Sequence, residues 1–544
     1  VEEGLDTRRV MERSYETISP FEFKNVLISL SEQGLKKGNR ALLNAGRGNP
    51  NWIAATPREA FFALGQFAVA ESRRVWSEGD LAGMPELEGI ASRLQAYLLA
   101  HDQEPGVKLL RDVVSLGSDE YGFHPDKWVH ELVDGIIGDN YPLPDRMLVH
   151  IEQLVHDYLI QEMCENDESS GPFALFAVEG ATAAMCYLFD SLAANFLLGR
   201  GDKVAIMVPI FPPYIEIAQL ARYDFDVVEI RATATDEQGR HTWQYPPSEI
   251  DKLRDPAIKA LFLVNPSNPP SVAIRPETIR QIRAIVGRDN PRLMIISDDV
   301  YGTFVDNFRS LMADLPYNTI GVYSFSKYFG VTGWRLGVVA VAKEHVCDEL
   351  IGNLPHDKTA ILAQRYATLT QNVDELHFVD RIVADSRQVA LNHTAGLSTP
   401  QQVQMALFCG FALLDRVSTY KRLTRTICHR RMKLLYSGLG LKRPNLPDDA
   451  DYYTQFDLAE WSFQHYGKAF TEFLEKRYEP VDILFRLAES SSIVLLNGGG
   501  FHGPTWSIRV SLANLDDRDY ARIGEELHKV LDEYVQEWRA ESSK

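Results

Sequence analysis

Lys327 lies in the run Ser324-Phe325-Ser326-Lys327-Tyr328-Phe329-Gly330-Val331-Thr332-Gly333-Trp334-Arg335-Leu336-Gly337. A lysine amine can condense with an aldehyde. Ser324 and Ser326 offer hydroxyl donors, and Arg335, eight positions past the lysine, offers a guanidinium fork. Such a set can hold a phosphate. An aldehyde that carries a phosphate asks for both, and pyridoxal 5'-phosphate is such a group. A strand ending in a surface lysine would explain Ser326-Lys327 alone. It would not explain the arginine and glycines in register.

Five other motifs could share that chemistry. Val178-Glu179-Gly180-Ala181-Thr182 follows an apolar run and opens a helical one. Bare backbone N–H groups at a helix start favour an anion, and Thr182 adds a hydroxyl. Phe211, in Pro209-Ile210-Phe211-Pro212, could stack on a flat ring, although by itself a packed loop aromatic explains it better. Asn265-Pro266-Ser267-Asn268-Pro269 is a rigid turn that could aim Asn268 at a phenolic oxygen. Ser297-Asp298-Asp299-Val300-Tyr301 puts carboxylates at a strand end. A carboxylate there can pair with a protonated pyridine nitrogen; a surface Asp-Asp is the bland reading. Arg509 sits in the apolar stretch Trp506–Leu512. Burying it unpaired is costly. A bidentate carboxylate partner is therefore expected, either an internal Asp/Glu or a substrate carboxylate.

These motifs must be positioned by something. Residues 145–400 alternate short apolar runs (FALFAVEG, KVAIMVPI, DVVEIRA, KALFLVN, RLMIISDD, TIGVYSFS, LGVVAVA) with amphipathic helical stretches. That alternation predicts a mainly parallel sheet covered on both faces. Ligands of such sheets sit beyond the carboxyl ends of the strands, where all the motifs fall. Around this core we expect four parts: residues 1–56 as N-terminal helix and arm, 57–140 as a helical extension, 141–400 as the large domain, and 401–544 as a smaller domain. The arm carries the loop NAGRGNPNW, with Arg40 before it and Arg47 within it. The last part contains two strand-like pieces, SSIVLLNG and SIRVSLA.

The bulk properties exclude several classes. The chain has 544 residues and a formal charge of −19, unfavourable for binding a nucleic-acid backbone. No run is long and apolar enough to span a bilayer. The five cysteines (Cys164, Cys186, Cys347, Cys409 and Cys428) are widely spaced, with no CxxC. No metal and no disulfide framework are expected. Free thiols and the acidic, polar start VEEGLDTRRV point to a cytoplasmic setting.

Taken in order, Gly180-Ala181-Thr182, Phe211, Asn268, Asp298 with Tyr301, Ser324-x-Ser326-Lys327 with Arg335, and Arg509 resemble the fold-type I pyridoxal-phosphate enzymes of the aspartate aminotransferase superfamily. The resemblance implies an α/β, three-layer fold with a large mainly parallel-sheet domain and a smaller α+β domain, plus extra helical segments here. It implies that Lys327 carries the cofactor and shuttles the proton. Asp298 would face the pyridine nitrogen, Asn268 and Tyr301 the ring oxygen, and Phe211 the ring face. Gly180, Ala181, Thr182, Ser324, Ser326 and Arg335 would hold the phosphate, and Arg509 the substrate α-carboxylate. Tyr141, in DNYPLPD, would reach the phosphate of a neighbouring subunit. At least a homodimer is implied, with larger assemblies of dimers.

Three departures qualify the match. Asn268-Pro269-Pro270-Ser271 stands where the superfamily usually has Asn-Pro-Thr-Gly. The chain is unusually long. The arginine motif that grips a substrate side-chain carboxylate is not recognisable. Together these resemble a long branch, the aspartate β-decarboxylases, which turn L-aspartate into L-alanine and CO2 and can also transaminate with 2-oxo acids. Arg47 or Arg387 would then orient the departing carboxylate. A plain aminotransferase is the alternative.

Overall fold

The computed structural model describes residues 2–35, 41–387, 396–443 and 446–543; Arg40 lies outside them. All seven apolar runs form strands of one sheet: β1 Phe173–Val178, β2 Lys203–Val208, β3 Asp226–Arg231, β4 Ile258–Val264, β5 Met294–Asp298, β6 Thr319–Ser324 and β7 Gly337–Ala342. Their order is β1-β7-β6-β5-β4-β2-β3. Only β7 runs against its neighbours. Strands such as FALFAV are buried at every position. Both faces are covered, so the runs are continuous rather than alternating. The carboxyl ends of β1, β2, β4, β5 and β6 therefore share one edge. The start of β7 closes on that edge: Gly337 pairs with both Val178 and Ser324. A Cβ on Gly337 would lie 2.6 Å from the Gly180 Cα, so only glycine permits this approach.

The helical stretch forms as its periodicity predicts, with helices Ala55–Val75, Ile90–Ala100, Val107–Ser115 and Pro125–Ile137. Its apolar faces are not a separate core. Leu64, Phe67, Trp128 and Leu132 are buried in the same cluster as Phe176 and Val339 of the sheet. The two N-terminal helices, Glu2–Tyr15 and Pro20–Leu35, pack instead on the C-terminal part. Phe23 and Leu27 share a core with Leu484, Phe485 and Tyr534.

The C-terminal part is built on a three-stranded antiparallel sheet of β8 Tyr453–Asp457, β9 Leu496–Asn497 and β10 Ser507–Ser511, with β10 central. The run SSIVLLNG is not one strand. Ile493–Val494 pairs in parallel with Leu43–Asn44 of the N-terminal arm, and only Leu496–Asn497 joins β10. The arm is thus stitched to the small sheet, which carries the loop after it to the edge of the large one. No helix among the described residues is long and apolar enough to cross a membrane.

Candidate active site

At the carboxyl edge of the large sheet lies a cavity of about 330 Å³. Its wall contains Ala181, Thr182, Phe211, Asn268, Asp298, Tyr301, Ser324, Ser326, Lys327, Arg335 and Arg509, residues contributed by both sheets. The fold thus brings together ten of the twelve expected cofactor positions, along with Arg509.

Lys327 follows β6 and projects across the cavity floor. Its Nζ donates to the Gly48 carbonyl at 3.0 Å. The same carbonyl accepts from Tyr452 Oη at 2.8 Å. Gly48 belongs to the arm loop, so the arm fixes where the amine stands. A Cβ on Gly48 would lie 2.7 Å from Tyr453 Oη and 3.1 Å from Lys327 Nζ. Gly48→Ala should therefore displace the amine without unfolding the chain. The expected loss in kcat is on the order of 10²-fold, the cost of roughly 1 Å of misplacement, with an unchanged thermal midpoint. Wild-type turnover in that variant would show that the amine's position does not matter.

Asp298 ends β5 and is buried. Its Oδ2 accepts from Tyr214 Oη at 3.2 Å, and its Oδ1 from the Val300 N–H at 3.3 Å. Burial pushes its pKa up to about 6, against these two bonds and the charge of Lys327. A cation set against it would hold it charged. Asp299 turns the other way. Its oxygens accept from Ser297 Oγ at 2.7 Å and Ser310 Oγ at 2.5 Å. Burial drives its pKa to about 8. The Asp-Asp pair therefore splits into one carboxylate for the cavity and one buried behind it.

The anion cradle is formed by three segments. Ser324 Oγ and Ser326 Oγ stand 2.9 Å apart. Arg335 has left-handed backbone (φ 57), which costs a non-glycine residue free energy. The conformation turns its guanidinium back to the helix start, where Nη2 donates to the Glu179 carbonyl at 3.2 Å. Gly180 leaves room for it: a Cβ there would lie 2.7 Å from Nη2. Glu179, awkward beside an anion, aims its carboxylate elsewhere and accepts from Tyr187 Oη at 3.1 Å.

Arg509, on β10, is 1% exposed. Its Nη1 donates to Asn268 Oδ1 at 3.1 Å and its Nη2 to the Gly46 carbonyl at 2.8 Å. Its guanidinium carbon lies 4.2 Å from the Tyr453 ring centre and 5.1 Å from that of Phe501. Burial lowers its pKa. No Asp or Glu among the described residues pairs with it, and its Nε has no partner. Of the two partners the sequence allowed, an internal acid is therefore absent. With its oxygen engaged by Arg509, the Asn268 amide still has its Nδ2 donor to offer a ligand.

Sequence reasoning missed four side chains here. Tyr214 supports Asp298. Tyr453 bonds Tyr301, Oη to Oη, at 3.0 Å. Phe21, from the second N-terminal helix, meets Phe211 edge-on at 5.9 Å. Lys24, one turn further on, feels burial and the charges of Arg47 and Arg509, which together lower its pKa. The pattern Phe21-x-x-Lys24 on a helix was legible, but nothing in it said that the helix covers this cavity.

Arg47 is exposed, its charge acts on Lys24, and it is not in the cavity wall. Arg387 is not in the cavity wall; its Nη2 lies 3.0 Å from Asp145 Oδ2. Tyr141 is 78% exposed and is not in the wall.

A large parallel sheet, a lysine beyond its carboxyl edge and a buried arginine from the small sheet define an aminotransferase-type α/β enzyme. Residues 112–527 match the family described as aminotransferase class I and II, and the chain belongs to that family. It is 47% identical over 530 residues to the bifunctional aspartate aminotransferase and L-aspartate beta-decarboxylase of a Pseudomonas species, covering 97% of this chain and 98% of that one. Among solved structures, it is similar to the aspartate aminotransferase from Rhizobium meliloti (TM-score 0.58, 15% identity, 95% and 96% of the two chains). It is also similar to the Pyrococcus protein-A1 structure (TM-score 0.57, 17% identity, 97% and 98%). At that identity the solved structures speak for the fold alone.

Proposed function

We propose that this enzyme binds pyridoxal 5'-phosphate and removes the β-carboxylate of L-aspartate, giving L-alanine and CO2, with amino transfer to 2-oxo acids as a side reaction. The observation that carries the reading is Arg509, a buried cation without an acidic partner among the described residues, in the wall of the same cavity as Lys327. Removing a charge from water costs several kcal/mol unless something compensates. A substrate α-carboxylate is that compensation. The 47% identity to a protein named for both activities supports the substrate and the bond broken.

The residues present fit the cofactor. Arg335, Ser324, Ser326, Thr182 and the helix start at Gly180-Ala181 would hold its phosphate, Asp298 its ring nitrogen, and Asn268 and Tyr301 its ring oxygen. Phe211 would lie on its ring. When bound, it supplies an electron sink conjugated to the substrate's Cα. Lys327 takes the Cα proton and later returns one. Arg509 fixes the α-carboxylate and so orients the Cα–H bond toward the amine. Atoms balance when aspartate takes up one proton at Cβ as CO2 leaves.

The second carboxylate needs a looser hold. A tight ion pair would stabilise the ground state more than a transition state in which that charge disperses into CO2. Exposed Arg47 and half-buried Lys24 suit this better than a buried fork. Tyr141, exposed on its own chain, suits contact with a neighbouring subunit's phosphate site. We place the enzyme in the cytoplasm as at least a homodimer, with the extra helices as assembly surface.

Supplied with L-aspartate alone, the enzyme is expected to release CO2 and alanine in large molar excess over its own concentration. A turnover that stops unless a 2-oxo acid is added would refute the decarboxylase reading and leave the aminotransferase one.

A further inference from the structure

A second cavity, of about 900 Å³, opens between the large-sheet and small-sheet parts and shares no wall residue with the first. On its wall three potential ligands meet from the two sides. His241 lies on the connection between β3 and β4, and its ring stacks on Trp243 at 4.6 Å. Asp457 ends β8, and Glu460 lies in the helix that follows, Leu458–Tyr466. His241 Nε2 stands 3.0 Å from Asp457 Oδ2 and 3.5 Å from Glu460 Oε2. All three ligand atoms lie within 4.8 Å of one another.

Each ligand is aimed by the backbone. Asp457 Oδ1 caps the helix, accepting from the N–H groups of Ala459 (2.9 Å) and Glu460 (3.1 Å), which leaves Oδ2 for the cavity. Glu460 Oε2 is held by the His241 N–H at 3.1 Å. A further observation points to a ligand. Gln455, on the same face of β8 one strand repeat before Asp457, is 4% exposed and lines this cavity. Its Nε2 donates to Ser507 Oγ at 2.8 Å, but its Oε1 has no partner among the described residues.

We propose that His241, Asp457 and Glu460 form a binding site for a divalent cation of the Zn²⁺ class, with Gln455 Oε1 as acceptor for a metal-bound water. Bonds of about 2.0–2.2 Å to nitrogen and oxygen place neighbouring ligands of one ion roughly 3 to 3.5 Å apart. The two separations from His241 Nε2, 3.0 and 3.5 Å, fall in that range. Asp457 and Glu460 bring two carboxylates to a half-buried cleft, and a dication bound there would cancel both charges. Because the ligands come from both parts, the ion would staple them together. It would also pin β8, which carries Tyr453 into the Lys327 cavity on the face shared by Gln455 and Asp457. The site is independent of the chemistry proposed at Lys327.

The test is calorimetric titration of chelator-treated holoenzyme with Zn²⁺, alongside thermal melting with and without the ion. One ion per chain and a higher melting temperature are expected. His241→Ala and Glu460→Gln should each weaken binding by roughly tenfold or more and abolish the melting shift. Glu460→Gln keeps an acceptor for the His241 N–H, so it preserves the fold even if His241→Ala does not. The comparison variant is His502→Gln, which breaks a separate bridge between the two parts, His502 Nδ1 to Glu229 Oε1 at 2.5 Å. It should bind Zn²⁺ as the wild type does. No uptake would overturn the proposal, leaving a proton-bridged contact. So would undiminished uptake in Glu460→Gln, or an equal loss in His502→Gln.

Discussion

Lys327→Ala is expected to lower turnover of L-aspartate by roughly 10⁴-fold or more, the upper range for one group that moves a proton. Two roles disappear together in this variant. The amine proposed to take the Cα proton is gone, and so is the proposed covalent hold on the cofactor. Loss of covalent anchoring is read directly from the visible spectrum, in which the band of lysine-linked cofactor should be replaced by that of free cofactor. The fold should survive. Lys327 makes one hydrogen bond across the cavity, to the Gly48 carbonyl, and that carbonyl retains Tyr452 Oη. Far-UV circular dichroism and the thermal midpoint should therefore match the wild type. If alanine at this position still releases CO2 from aspartate at the wild-type rate, the amine is not the proton carrier and the assignment is lost.

The sheet was legible because its strands are apolar throughout and are separated by amphipathic helices, a pattern few other folds produce. The strand ends inherited that clarity: once β5 and β6 are placed, Asp298 and Lys327 must emerge on the same edge. What stayed hidden depends on contacts distant in sequence. β8 is buried, yet its sequence YTQFD mixes polar and aromatic residues, so it shows neither a continuous run nor a clean alternation. Tyr214 reads as one aromatic in a proline-rich loop; its hydroxyl matters only because β5 delivers Asp298 beside it. Lys24 lies 485 positions before Arg509 in the chain, and only the folded arrangement reveals that the arginine's charge reaches it. Arg387 is a further case. Its sequence context offered no sign of Asp145, which lies 3.0 Å from its Nη2 in the fold.

Asp298→Asn is the second large effect, and it separates an electrostatic role from a structural one. The substitution keeps the side chain's size, and its amide oxygen can still accept from the Val300 N–H. What it removes is the negative charge. That charge is unfavourable in the protein alone, since burial pushes the pKa up to about 6. A carboxylate held there against its own desolvation is useful only if a cation arrives beside it, and in the proposed reading a protonated ring nitrogen is that cation. Without the charge the ring would lose its proton, and electrons leaving Cα would have a poorer sink. The expected loss in kcat is about 10²–10³-fold, the range for removing one preorganised electrostatic stabiliser. KM should change little, because Arg509 and the phosphate cradle are untouched. Tyr214→Phe provides the contrast. It deletes one hydrogen bond to the same carboxylate, 3.2 Å long, while the charge remains. Such a bond is worth about 1.5–3 kcal/mol at most. Tyr214→Phe should therefore lose less kcat than Asp298→Asn. If Asp298→Asn lost no more than Tyr214→Phe, the carboxylate's charge would have no special part in the reaction, and Asp298 would be a packing residue that happens to face the cavity.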